Sequence, residues 1–276
     1  MMDYAYLEGR ANDIRCDIIE MAYHAAGQSH PGPALSCADI LAALYFGHMN
    51  IRPDEPEWEG RDRFILSKGH ACPALYAALA EAGYFGKEHF YSFRGVHGML
   101  QGHPAMHKTP GVDMTSGSLG NGIAAAGGMA YALKLKRNPA QVYVLLGDGE
   151  SQEGLVWESA MLAPRLGLDN LTVIIDYNHL QSCGDTDSIL CMEPYADKWK
   201  AFGWRVCEMN GHDMHEIISR LTEARHFRGL PTVIIAHTIK GKGVSFMEHN
   251  NDWHSKRPSR EEYEQAMTEL GGRITQ

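Results

Sequence analysis

Two polar residues, each closing an apolar β-branched run, give the first sign of chemistry in this sequence. Gln141-Val-Tyr-Val-Leu-Leu-Gly-Asp-Gly-Glu150 carries Asp148 between two glycines, and Leu171-Thr-Val-Ile-Ile-Asp-Tyr-Asn178 ends in Asn178. The intervening Ser151 to Leu166 reads as a helix. Strand, helix and strand at this length predict a βαβ unit with parallel strands, which brings Asp148 and Asn178 to one carboxyl edge. Open α/β sheets bind ligands at that edge. An Asp and an Asn there offer hard oxygen atoms suited to a magnesium ion carrying a phosphate. Gly147 and Gly149 leave room for backbone to approach a bulky anion. Gly-Asp-Gly alone is equally a good turn. The pairing with Asn178, thirty positions on (178 − 148 = 30), makes it informative.

The chain has 15 histidines, and most are expected to be packed or surface residues; His24, His48, His212, His215 and His226 are read that way. His30, His70, His103 and His254 differ, because each lies on a Gly- or Pro-containing loop. Loops held by a rigid scaffold are where chemistry sits. Neutral imidazoles there could bind hydroxyls and move protons near pH 7. Among these four, no H-x-x-x-H or H-E-x-x-H spacing supports a metal cluster. Glu153 falls in the first turn of the helix after Asp148, where a negative charge suits the helix terminus; its sharper role is a hydrogen bond at the site or at an interface. Lys240 and Lys242 are solvated loop charges or help offset phosphate. Gly117 to Gly122 only loosely matches a dinucleotide fingerprint, since no apolar strand precedes it, and no Walker lysine pattern is present. Gly149-Glu-Ser151-Gln-Glu153 has Glu where a nucleophile elbow needs its second Gly, so Ser151 is expected to open a helix.

The elements that position these residues alternate along the chain. Helical patterns cover residues 5–26, a stretch starting at Ser36 or Cys37, 71–82, 121–136, 195–202, 214–225 and 260–270; apolar strands cover 62–67, 204–209 and 231–238 besides the two above. Residues 86–118 and 180–194 read as loops, and so long an irregular stretch as the first is usually functional. The pattern predicts one α/β domain over residues 1–276, with a doubly wound, mostly parallel sheet and helices on both faces. The tail from about 245 to 276 is expected to wrap the domain or a partner. The small residues Ala124-Ala-Ala-Gly-Gly128 permit close approach of another backbone, within the fold or across an interface.

Composition sets limits. The net charge of −9 argues against nucleic acid or an anionic membrane as partner, and an acidic protein that binds a diphosphate needs a metal, a helix terminus or local cations. No run is long and apolar enough to span a membrane, and the first ten residues lack a basic region followed by an apolar stretch. Six scattered cysteines without C-x-x-C fit reduced thiols in a cytoplasmic protein.

Gly147-Asp-Gly149 followed by Asn178 resembles the thiamine diphosphate motif. Ser29-His-Pro-Gly32, Ser67-Lys-Gly-His-Ala71, Gly102-His-Pro104, Thr115-Ser-Gly-Ser-Leu-Gly120 and Lys240-Gly-Lys-Gly243, in that order, resemble the amino-terminal half of transketolase over about residues 10–260. The likeness is best to a split transketolase with its two parts on separate chains. It implies a subunit that binds Mg2+ and thiamine diphosphate and moves a two-carbon ketol unit from a ketose phosphate to an aldose. Asp148, Asn178 and the carbonyl of Leu180 would ligate the metal. Gly149 and His70 would contact the diphosphate, and Gly117 and Leu119 would border the rings. Glu153 would join a carboxylate network between cofactor sites. His30, His103 and His254 would line the sugar channel and assist proton transfer.

Ser255 stands where the family usually has Gly, and the sequence closes at Gln276, less than half a full transketolase. The resemblance therefore implies a companion carboxyl-terminal subunit that carries the pyrimidine-binding domain, in a heterotetramer. The alternatives are half of another thiamine enzyme, such as an acyloin synthase or a 2-oxoacid dehydrogenase component, and a non-catalytic regulatory subunit. The sequence leaves the sugar open: pentose phosphates, sulfonated sugars or branched sugars.

Overall fold

A computed structural model describes residues 2–275. Its centre is a five-stranded parallel sheet. The strands are β1 (Arg63–Leu66), β2 (Val142–Gly147), β3 (Leu171–Tyr177), β6 (Arg205–Asn210) and β7 (Thr232–His237), in the order β1-β2-β3-β7-β6. Two short strands, β4 (Leu180–Gln181) and β5 (Gly184–Asp185), form a separate antiparallel ribbon. The expected doubly wound α/β architecture is what the chain adopts.

The sheet is covered on both faces because its strands are apolar on both sides. Along β2, Tyr143 and Leu145 enter one core with the helices Tyr4–His24, Ala38–Ala43 and Cys72–Glu81, whereas Val142, Val144 and Leu146 enter the other, with Asn121–Leu135 and Gly154–Arg165. Successive side chains of a strand point to opposite faces, so a continuous apolar run demands two layers of cover. All seven residues of β3 are buried. Each inward Val or Ile contributes about 1.5–3 kcal/mol by leaving water, which fixes the register as well as the stability. Gly147 pairs with Asp176 in that register, and this aligns the ends of β2 and β3.

Four local expectations are revised. The second helical region opens earlier, at Pro31–Leu35, because Pro31 and Pro33 occupy a first turn where missing N–H groups cost nothing. It resumes at Ala38–Ala43 and widens into a π-turn, Leu44–His48. The helix after Asp148 starts at Gly154 rather than Ser151, since a 3-10 turn, Gly149–Gln152, intervenes. Ser151 is buried and bonds the Gly147 carbonyl and Tyr195 hydroxyl instead of capping. Finally, residues 180–194 hold the β4–β5 ribbon and the short helix Thr186–Leu190, capped by Asp185.

The last helix, Arg260–Glu269, has a complete capping box between Ser259 and Glu262 and returns to the first helix, where Tyr263 donates to Glu20 at 2.6 Å. No helix among the described residues is long and apolar enough to cross a membrane.

Candidate active site

At the carboxyl edge, across the ends of β2 and β3, a cleft of about 310 Å3 opens. Asp148, Gly149, Glu153, Asn178, Leu180, His70, His254, Leu119, Lys68 and Lys240 are among its walls. Asp148 and Asn178 meet directly. Asp148 Oδ2 accepts the backbone N–H groups of Asn178 at 3.0 Å and His179 at 2.5 Å, and Oδ1 accepts that of Gly149 at 2.7 Å. A carboxylate has about four lone-pair directions, so an acceptor position is left for a cation.

Burial pushes the Asp148 carboxyl up to about 6, with the Asp176 charge adding and the backbone N–H bonds opposing. A bound cation would reverse that shift. The Asn178 amide is oriented by its neighbours. Its nitrogen donates to Asp176 at 3.2 Å and its oxygen accepts from the Leu180 N–H at 3.0 Å. One carboxylate, one amide oxygen and the Leu180 carbonyl form a hard-oxygen set that fits magnesium. The Gln181 Oε1 atom, on the same wall, is buried without a donor. A cation or an ordered water held by the metal would satisfy it, so the residues fit the group. Among the described residues no cluster of His, Cys, Asp or Glu offers a competing metal site.

The glycines act by space. A Cβ on Gly149 would lie 2.7 Å from the Gln181 Cβ, so only glycine fits under the ribbon. Gly120 has φ +80, the left-handed region that favours glycine, and its N–H donates to the buried Glu150 at 2.8 Å.

The loop histidines converge. Ring centroids of His30 and His70 are 5.4 Å apart, those of His30 and His254 5.7 Å, and those of His70 and His254 5.2 Å. His103 stands slightly apart and more exposed, with its ring 3.5 Å from where a Gly117 Cβ would be. Burial lowers all four. His30 falls to about 4, with Arg94 and His103 adding, and His254 falls to about 3, with Lys240 adding. His70 lies well below the ordinary value, and His103 is lowered by burial and Arg94. They are therefore neutral hydrogen-bonding groups at pH 7. Lys240 Nζ donates to His254 Nδ1 at 2.9 Å. An ammonium cannot accept, so the His254 proton lies on Nε2.

Since an unfolded chain restores these histidines to about 6.5, it takes up protons that the folded chain refuses, and folding weakens as pH falls from 6.5 towards 4. The raised Asp148 has the opposite sign. We expect the urea midpoint of the isolated chain to drop between pH 6.5 and 5, and to drop less in His254→Gln. Equal slopes for the two proteins would contradict the neutral assignment.

Lys68, Asp176 and Glu150 are site residues that the sequence reading does not single out, and the structure also places Lys240, Lys242, Glu153 and Ser255. Lys68, from the Ser-Lys-Gly-His segment, is buried and ion-paired with Asp176, and donates also to the Pro33 carbonyl at 2.7 Å. Asp176 further accepts from Ser36 at 2.5 Å and from Thr238. Its one visible signal is a charge inside an otherwise apolar strand. Glu150 accepts from Ser67 and from the N–H groups of Gly120 and Gly147. It ties the Gly-Asp-Gly turn to two other loops. Lys240, 1% exposed, donates to the Leu180 carbonyl at 3.2 Å, and burial lowers its ammonium to about 8. Lys242 instead faces Glu248 at 3.5 Å. Glu153, at the start of Gly154–Arg165, is exposed. Ser255 has φ −144, which any residue adopts, so a glycine is not needed there.

Residues 9–275 match the family model for the transketolase thiamine diphosphate-binding domain. This chain belongs to that family. It is 45% identical over 264 residues to the 6-deoxy-6-sulfo-D-fructose transketolase subunit SqwG of Clostridium sp. (strain MSTE9), covering 96% of each chain. It is 41% identical to a subunit of the apulose-4-phosphate transketolase of Phocaeicola vulgatus, covering 99% of this chain and 96% of that one. Among solved structures, the transketolase of Campylobacter jejuni superposes with a TM-score of 0.92 at 34% identity, over 98% of this chain and 43% of that chain. For the Leishmania mexicana transketolase the values are 0.91, 33%, 96% and 41%. The chain thus spans about two-fifths of those solved transketolases.

Proposed function

We propose that this chain is the thiamine diphosphate-binding subunit of a two-chain transketolase, transferring a two-carbon ketol unit from a ketose to an aldose. The carrying observation is the joined pair of strand ends: Asp148 accepts the Asn178 N–H, thirty positions on, beside the Leu180 carbonyl (178 − 148 = 30). The two-chain reading is supported by relatives that bear subunit names and are covered over 96% of their length. The companion would supply a pyrimidine-binding domain, in a heterotetramer. Six free thiols among the described residues suit a reducing cytoplasm.

Asp148, Asn178 and the Leu180 carbonyl would hold Mg2+, and Gly149 and His70 the diphosphate, with Lys240 offsetting charge. Gly117 and Leu119 would border the rings, and Glu153 would face the companion or a second site. When bound, thiamine diphosphate supplies the carbanion stabilisation that breaks the carbon–carbon bond. The chain's own part is orientation and proton handling. Neutral His30, His103 and His254 bind sugar hydroxyls, and the Nε2–H of His254 is a donor fixed by Lys240. Their low basicity keeps these imidazoles uncharged, and the companion would read the anionic end of the sugar. The named substrates of the relatives above, a sulfonated fructose and apulose 4-phosphate, share such an anionic end; we place the donor in that class.

The test is ketol transfer by the chain with and without its co-purifying companion, with xylulose 5-phosphate, 6-deoxy-6-sulfo-fructose and apulose 4-phosphate as donors. Activity is expected only for the pair. Full turnover by the pure chain sinks the two-chain reading, and release of carbon dioxide from a 2-oxoacid without an aldose would place the protein in another thiamine class.

A further inference from the structure

Behind the Lys240 corner, three residues distant in sequence form a line. Asp39 lies on the helix Ala38–Ala43, His212 in the turn after β6, and Ile239 just past β7. Asp39 Oδ2 is 2.7 Å from His212 Nδ1, and the Ile239 N–H donates to His212 Nε2 at 2.8 Å. A peptide N–H can only donate, so Nε2 carries the lone pair and the proton sits on Nδ1, aimed at the carboxylate. Arg15 pairs with the same Asp39 oxygen, and burial is outweighed by His212 and Arg15, so the carboxyl is held below its ordinary range. Side-chain exposures are 10% for Arg15, 8% for Asp39 and 11% for His212. Hydrogen bonds so enclosed are not traded for water at low cost.

The bonded N–H belongs to the residue before Lys240. The segment there is held by the Thr238 hydroxyl on Asp176 and the Thr238 N–H on the Tyr177 carbonyl at 3.2 Å, by the His249 N–H on the Lys240 carbonyl at 3.0 Å, by the Ile239 N–H on His212, and by the Gly241 N–H on the Gly32 carbonyl at 3.1 Å. Between the last two, Lys240 directs its ammonium to the Leu180 carbonyl at 3.2 Å, Asn251 Oδ1 at 2.7 Å and His254 Nδ1 at 2.9 Å. The Gln181 carbonyl lies 3.4 Å from the same ammonium, and a rotation about Ile239 would turn the Lys240 side chain away from these acceptors.

We propose that His212, oriented by Asp39, is a positioning residue that sets Lys240 against the metal and diphosphate corner and against His254. The relay is defined by this chain's own bonds. Only its effect on cofactor binding rests on the function proposed above. A carboxylate fixes the tautomer of metal-ligating histidines in the same way, and losing it there costs about 10–100-fold in affinity; here the second nitrogen holds a peptide N–H one residue before Lys240, so the low end of that range is expected.

Two measurements test it. In the histidine-15N-labelled chain, long-range correlations are expected to show His212 protonated on Nδ1 and bare on Nε2; protonation on Nε2 overturns the relay. The second uses paired variants in the two-chain enzyme. His212→Gln keeps an acceptor near the Nε2 position, whereas His212→Asn keeps only a group near Nδ1. With thiamine diphosphate and Mg2+ as probes, His212→Asn is expected to weaken cofactor binding about tenfold and to speed exchange of the Ile239 amide. His212→Gln should restore most of both.

Equal effects of the two variants, or wild-type affinity in His212→Asn, would reject the positioning role. If neither variant folds, the tautomer of the unaltered chain still decides. Failure of the unaltered complex to bind thiamine diphosphate would instead strike the proposed function and leave the tautomer result intact.

Discussion

Asp148→Asn is expected to fold and yet lose magnesium-dependent binding of thiamine diphosphate in the two-chain enzyme. The amide oxygen can still accept the Asn178 and His179 N–H groups that Oδ2 accepts, so two of the three turn bonds survive while the NH2 faces the Gly149 N–H. Its charge does not survive. Removing an outer-shell partner of a metal ligand already costs about 10–100-fold, so loss of the carboxylate itself should cost more than about a hundredfold. Asp148→Ala should lose the same affinity and also stability, because three N–H groups near a residue only 5% exposed lose their acceptor. Each unsatisfied group costs about 1–3 kcal/mol. Calorimetric titration with cofactor and Mg2+, beside a thermal melt, separates the two effects. Unchanged affinity in Asp148→Asn would remove this residue from the metal site.

Lys68→Met should be strongly destabilising. Among the described residues its ammonium is the one cation bonded to Asp176, which is 0% exposed. Burial works against that carboxylate, and Lys68, Ser36 and Thr238 hold its pKa below the usual range. Breaking one partner of a buried pair typically costs about 3–5 kcal/mol, because a lone charge stays behind. Urea unfolding at pH 7 is expected to show a loss of that size. Asp176→Asn placed on top should recover much of it, since the neutral amide needs no cation.

The pH response should also invert. With Lys68 present, the lowered Asp176 contributes stability above about 3.9 that is lost as pH falls. Without Lys68 the folded carboxyl rises above its unfolded value, so the variant gains stability as pH falls and loses it as pH rises. A loss under about 1 kcal/mol in the single variant would show that solvent reaches Asp176 and screens it.

Much of the site is legible before the fold. Asp148 and Asn178 stand out because a strand of period two ends where its apolar run ends, and parallel neighbours must end together. The four loop histidines are read as a group because each lies on a Gly- or Pro-containing loop, but Gly47-His48, His97-Gly98 and Gly211-His212 have such neighbours too, so it is the folded geometry that singles them out. Less is legible where a residue acts through a distant partner. His212 reads as a packed or surface histidine, and nothing local marks its place between Asp39 and Ile239. His48 reads the same way and bonds the Tyr143 hydroxyl at 2.8 Å on β2. Boundaries near Pro31 and Ser151 move because turn hydrogen bonds, not periodicity, decide where a helix begins.

By itself, the sequence determined the alternation of strands and helices, the two-faced sheet and the residue types delivered to its carboxyl edge. These follow from local rules: apolar period, turn chemistry and the parallel pairing that a helical crossover enforces. Tertiary structure alone decided which polar groups pair. Lys68 with Asp176, Glu150 with Gly120, and Lys240 with Leu180 and His254 are contacts between segments 30 to 108 positions apart, apart from Lys240–His254 at 14. A buried charge is tolerated only with its partner in place, and which partner arrives is set by how three layers pack, which no short stretch of residues encodes.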